Sequence, residues 1–153
     1  MGSAGNITFD DSLWPLLVVK FEGTPTNEQV EEYLVRRQSY LDRKQQHVLI
    51  YDTQSFRVLT NEQRQRQIEW LKERAAVMKK YSLGSALIIV SPITRLTLSI
   101  VLQFSQSPTP YHAARSLPEA ARWAASRLQE VGLFQEAARV RSHFGLAPGR
   151  NIA

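Results

Sequence analysis

Cysteine is absent from the 153 residues, which excludes disulfides, thiolate metal sites and cysteine nucleophiles. No apolar run approaches the roughly 18 residues a membrane-crossing helix needs, so no membrane span is expected. The seven glycines are scattered, and none forms G-x-G-x-x-G or a Walker pattern, so there is no phosphate-cradling loop. The opening MGSAGNITFDD has no basic stretch followed by an apolar one, so no secretory signal is read and a soluble, cytoplasmic protein is expected. His47, His112 and His143 fall on different segments without metal-ligand spacing, so neither a metal nor a cofactor is expected. Ser55 has no nucleophile-elbow glycines around it. Asp52 would need further acids and a lysine at neighbouring strand ends to run metal or phosphoryl chemistry, and the run ending at Ser91 and Pro92 supplies neither. These absences point away from an enzyme.

Apolar residues make up 43% of the chain, enough for one domain with a real core. The formal charge of +5 invites a nucleic-acid reading. Bases and acids alternate, however, as in Glu62, Arg64, Arg66, Glu69, Lys72, Glu73 and Arg74. That is the pattern of a solvated helix face, and nucleic acid is not the expected partner. After Tyr111 the excess is more one-sided, with Arg115, Arg122, Arg127, Arg139, Arg141 and Arg150 against Glu119, Glu130 and Glu136, which predicts a basic C-terminal surface.

The apolar pattern alternates between strand and helix. Ile7 and Phe9 share one side of a first strand. A second follows, with Leu17, Val19 and Phe21 on one face and Leu16, Val18 and Lys20 on the other. Asp11 and Ser12 are the expected hairpin turn. Thr26 and Gln29 form a T-x-x-Q capping box opening a helix striped by Val30, Tyr33, Leu34 and Leu41, with Arg37 and Gln38 in the intervening turn. Val48 to Tyr51 is apolar on both faces and reads as a central strand that stops at Asp52. Thr60 and Gln63 repeat the capping box and open a long helix to about Ser82, striped by Ile68, Leu71, Ala75 and Met78, with Gly84 as its stop. SALIIVS is a further strand, Ile93 to Phe104 an apolar helix, and TPYHAARS a short extended piece. Ser116 and Glu119 suggest a third capping box before a helix rich in Ala, and a last helix runs from about Phe134 to Phe144. The order predicts an α/β fold, with helices packed on a sheet whose later strands are mostly parallel.

Two blocks carry a resemblance to a known family. One is the strand-loop-helix from Leu49 to Leu71; the other is SALIIVSPITRLTLSIVLQF followed by YHAARSLPEAARWAASRL. Over about residues 6 to 128 the chain resembles the STAS domains, bacterial anti-sigma-factor antagonists, and looks closest to their divergent SpoIIAA-like branch. The resemblance implies a mixed sheet of four or five strands and a STAS-like domain over residues 1–131; the helix after Gly132 lies outside it, and residues 132–153 are expected to form a C-terminal helical extension packed on the same domain. In regulatory members a D-S-S-G motif opens the helix about eight residues after a strand-terminal Asp, and a serine in it is phosphorylated. Counting from Asp52 reaches Thr60, Asn61, Glu62 and Gln63, so the motif is absent. Glu62 stands where the switch serine would be and reads as a first-turn acid complementing the helix dipole.

The expected function is therefore a non-enzymatic, bacterial protein-interaction module lacking the phosphoswitch. The loop Thr53 to Leu59 and the helix start after it are the expected contact surface. Asp52, Ser55, Phe56, Arg57, Thr60 and Glu62 are its partner-binding candidates. The alternative is a binder or sensor of a lipid or other apolar ligand. On the helix Ile93 to Phe104, Leu96, Ile100 and Phe104 form a face left over once Leu98, Val101 and Leu102 meet the sheet. That face needs a cover: the C-terminal helix, a second subunit in a homodimer, or a ligand.

Overall fold

The computed structural model describes residues 5–56, 59–92, 95–96 and 109–148, with Ser55 and Phe56 as backbone only. In chain order the elements are β1 (Asn6–Leu13), β2 (Leu16–Gly23), α1 (Asn27–Leu41), β3 (His47–Phe56), α2 (Asn61–Glu73), α3 (Ala75–Tyr81), β4 (Ser82–Ile88), β5 (Tyr111–Ala114), α4 (Leu117–Glu130) and α5 (Phe134–His143). The five strands form one mixed sheet in sequence order. β1 is antiparallel to β2, while β2, β3, β4 and β5 run parallel. The strands at Val48–Tyr51 and Ala86–Ile88 are neighbours, with Ile50 opposite Ala86 and Tyr51 opposite Leu87.

The two-residue period of the strands divides the core into two layers. Leu17, Val19, Phe21 and Leu49 face α1, α2 and α3, meeting Val30, Tyr33, Leu34, Leu41, Trp70 and Met78. Leu16, Val48, Ile50, Ala86, Ile88 and Ala114 face the other way, toward α4 and α5. There Ala120, Ala121, Ala124 and Ala125 bring the α4 backbone close to the sheet, and Leu128, Ala137 and Val140 close the layer. Burying each large aliphatic side chain is worth about 1.5–3 kcal/mol, and β3 contributes Val48, Leu49 and Ile50 to both layers without exposure.

Both expected capping boxes are formed. The Thr26 and Thr60 hydroxyls accept from the Gln29 and Gln63 amides, and each Gln side chain accepts from the cap's own N–H. At Ser116 only half of the third box forms. Its hydroxyl accepts from Glu119 N, but the Glu119 carboxylate takes the N–H of Arg115, 2.7 Å away.

Four expectations are corrected. The hairpin turn lies at Trp14 and Pro15, with a cis peptide between them. Asp11 and Ser12 belong to β1, where the register shifts between Asp10 and Leu13 and the Asp10 carboxylate accepts from Ser12 N. The helix after Thr60 breaks at Arg74. The Arg74 guanidinium occupies the Trp70 carbonyl and Gln38 Oε1, so its own N–H turns back to Leu71 O. The break changes the buried stripe: between Ile68 and Tyr81, Trp70 and Met78 are buried, whereas Ile68 and Val77 are exposed. Gly84 does not stop a helix but sits inside β4, which begins at Ser82. Finally, β3 does not end at Asp52. Its polar second half stays paired to β2, with Lys20 opposite Asp52, Glu22 opposite Ser55 and Gly23 opposite Phe56.

Candidate functional site

The N-termini of α1 and α2 lie side by side at the C-terminal end of the parallel strands, and the chemistry-bearing candidates gather there. Thr60 caps α2 and Glu62 lies exposed in its first turn. Gln63 is buried and joins the two helix starts. Its Oε1 accepts from Thr60 N, while its amide donates to Pro25 O and to Asn27 Oδ1, both at 3.0 Å. One turn on, Arg66 Nε donates to Glu31 Oε1 at 2.7 Å across the same seam. Asn27, Val30, Glu31, Glu62, Gln63 and Arg66 line a groove of about 190 Å³. That is smaller than a site for a drug-sized ligand, and it suits a side chain of a protein partner better.

Asp52 and Ser55 approach this end along β3 instead of from a loop. Asp52 is half-buried, and its Oδ1 accepts from the backbone and side chain of Gln54, each at 3.1 Å. Thr53 donates to Ile88 O at 2.7 Å, tying the end of β3 to β4. The backbone of Ser55 and Phe56 is strand, so Thr53 to Phe56 of the expected loop belong to β3. Arg57 lies outside the described residues, as do Ile100 and Phe104. Leu96 is described and is 64% exposed, with Val90 near it in sequence at 62%.

The basic C-terminal surface is narrower than the sequence suggests. Arg141 is buried. Arg127 donates to Leu83 O and pairs with Glu130, and Arg139 donates to Trp14 O. Among the described residues no three or more His, Asp or Glu side chains gather as a metal-binding group. Among them, too, no helix is long and apolar enough to cross a membrane.

Two residues with unusual surroundings carried little sequence signal. Arg37 lies on the apolar stripe of α1 and is 1% exposed. Its place between Leu34 and Leu41 was visible, but its burial was not. His47 is fully buried at the start of β3, stacked on Trp14 with ring centroids 5.2 Å apart. Burial lowers its pKa to about 4, with Arg37 and Arg43 adding to the depression against the hydrogen bond to Gln45 O.

This arrangement, a five-stranded mixed sheet with two helix starts meeting at the carboxyl end of its parallel strands, is a SpoIIAA-like fold. A solved structure of an uncharacterised protein of the DUF3478 family from Shewanella loihica PV-4, described as having that fold, superposes with a TM-score of 0.61. It shares 14% sequence identity, over 81% of this chain and 95% of that chain. No family model matches the sequence, and no curated protein matches it.

Proposed function

We propose that this protein is a non-enzymatic interaction module of STAS type that engages a bacterial protein partner through the paired N-termini of α1 and α2, without a phosphoswitch. The observation that carries this reading is the state of the α2 start. Its one hydroxyl, on Thr60, is committed to capping, and the next exposed side chains are Asn61 and Glu62. Gln63, which the D-S-S-G comparison would make a glycine, is a buried strut between the helices. The surface is thus held in one shape by hydrogen bonds, and its charge is fixed by Glu62, Glu31 and Arg66. A photo-reactive residue at position 62 tests this by capturing a discrete partner protein in the source cell, and intact-mass analysis should find Ser55 and Thr60 without stoichiometric phosphate.

A second reading, binding of a lipid or other apolar ligand, or of a second subunit, is supported by the exposure of Val90 and Leu96. Native mass spectrometry separates these: a bound small mass, a dimer, or neither.

A further inference from the structure

β1 is an edge of the sheet, and among the described residues it is paired to β2 alone. Free edges invite pairing with another chain, and proteins blunt them with Lys, Pro or a bulge. The register shift between Asp10 and Leu13 blunts the second half of β1. The first half, Asn6 to Asp10, has no Lys, Arg or Pro and keeps a regular register. Its side chains alternate: Ile7 and Phe9 are half-buried on the α1 side, while Asn6, Thr8 and Asp10 are exposed on the other face. α1 lies along this strand. Gln29 Nε2 donates to Gly5 O, the Arg36 guanidinium stands 4.9 Å over the Phe9 ring, and the Tyr40 hydroxyl donates to Asp11 Oδ2. Helix and strand therefore run the same way, and Thr8 is level with the turn from Glu32 to Arg36. Both of those side chains are exposed, and neither has an ion-pair partner among the described residues.

We propose that the first half of β1 pairs antiparallel with β1 of a second copy, about a two-fold axis normal to the sheet at Thr8, joining two five-stranded sheets into one. The strand's match to itself selects this register. It sets Ile7 opposite Phe9 of the second copy, Thr8 opposite Thr8, and Asn6 opposite Asp10. A β-branched residue against an aromatic one and Thr against Thr are favourable cross-strand pairs, and no like charges meet. An axis at Phe9 would set Ile7 opposite Asp11 and run the pairing into the register shift, and an axis at Ile7 would leave Phe9 opposite Gly5. The axis at Thr8 also brings the two α1 helices side by side and antiparallel, with Glu32 of each copy level with Arg36 of the other. The edge is thus complementary to itself in charge as well as in shape. The groove between α1 and α2 is on the other flank of α1, where Asn27 meets Gln63 and Glu31 meets Arg66, so self-pairing leaves the partner surface open.

The test is sedimentation velocity of the full chain over a range of concentrations, with thermal melts on each variant to check folding. Wild type should show a concentration-dependent equilibrium of monomer and dimer, since one strand edge and one helix flank make a small interface. Thr8→Glu should weaken the dimer about fivefold or more, because like charges then meet at the axis. In its own chain the same side chain lies opposite Lys20, so the monomer keeps its fold. Arg122→Glu, at an exposed position on α4, should leave the equilibrium unchanged. The chain has no cysteine, so Thr8→Cys supplies a single thiol facing its own copy across the axis. Mild oxidation should link most of it into a covalent dimer and leave Arg122→Cys unlinked. Should Thr8→Glu fail to fold, this cross-link decides alone. A wild type that stays monomeric at every concentration would overturn the proposal. A dimer that Thr8→Glu leaves intact and Thr8→Cys does not link would overturn it too, and would place the contact on another surface.

Discussion

Gly84 faces the indole of Trp123 so closely that a Cβ built on it would lie 2.7 Å from the ring's Cη2 and 2.6 Å from the carbonyl oxygen of Pro110. The backbone there has φ +135°, a conformation that side chains rarely adopt. Gly84→Ala should therefore cost more than about 3 kcal/mol, since strain and overpacking act together. Gly132 is the control: its φ is +84° but its Cβ would meet nothing, so Gly132→Ala should cost about 1 kcal/mol. Denaturant midpoints of the two variants check the difference.

Acid should destabilise the protein through His47. The folded-state pKa is about 4, against 6.5 for the free side chain, because burial disfavours the charged ring. Between those values the unfolded chain binds the proton and the folded one does not, so stability falls as pH drops from about 6.5 and levels off below about 4. At about 1.4 kcal/mol per pH unit the loss from this group is about 3 kcal/mol. Urea unfolding at pH 7, 5.5 and 4 measures it. His47→Phe, which keeps the stack on Trp14, should flatten the slope over that range.

The two capping boxes should have similar worth. Thr60→Ala and Thr26→Ala each remove a hydroxyl that accepts from the amide three residues on, and each should cost about 1 kcal/mol. A variant with unchanged stability would show that the hydroxyl is not the cap.

Gln63 and Glu62 should separate structure from recognition. Gln63→Ala leaves Pro25 O and Asn27 Oδ1 without their buried donor and should cost about 1–3 kcal/mol. Glu62 is exposed, so Glu62→Ala should change stability by less than about 0.5 kcal/mol while weakening partner capture by a photo-reactive residue at the neighbouring exposed position 61. Thermal melts alongside the capture assay distinguish the two.

What could be read from the sequence was local. The boxes at Thr26–Gln29 and Thr60–Gln63 are set by residues three apart. That the later strands run parallel followed from the alternation of strands and helices, and the central place of Val48 to Tyr51 from a run apolar on both faces. What was missed depends on distant partners. Asp52 to Ser55 are polar and look like a loop, yet β2 holds their backbone in the sheet. The break at Arg74 depends on Gln38 from another helix, and Gly84 is required by Trp123 from a third. Of the candidate site, Thr60 and Glu62 fall where the capping pattern put them. The strut made by Gln63 to Pro25 has no signal in either segment alone.

The central claim, recognition of a protein partner at the paired helix starts, is tested most directly by photo-crosslinking in the source cell. The reactive residue is placed at position 62, or at the exposed position 122 on α4 on the opposite side of the sheet. The account predicts a discrete protein adduct from position 62 that is absent from position 122. No adduct at 62, or the same adducts from both positions, would contradict it.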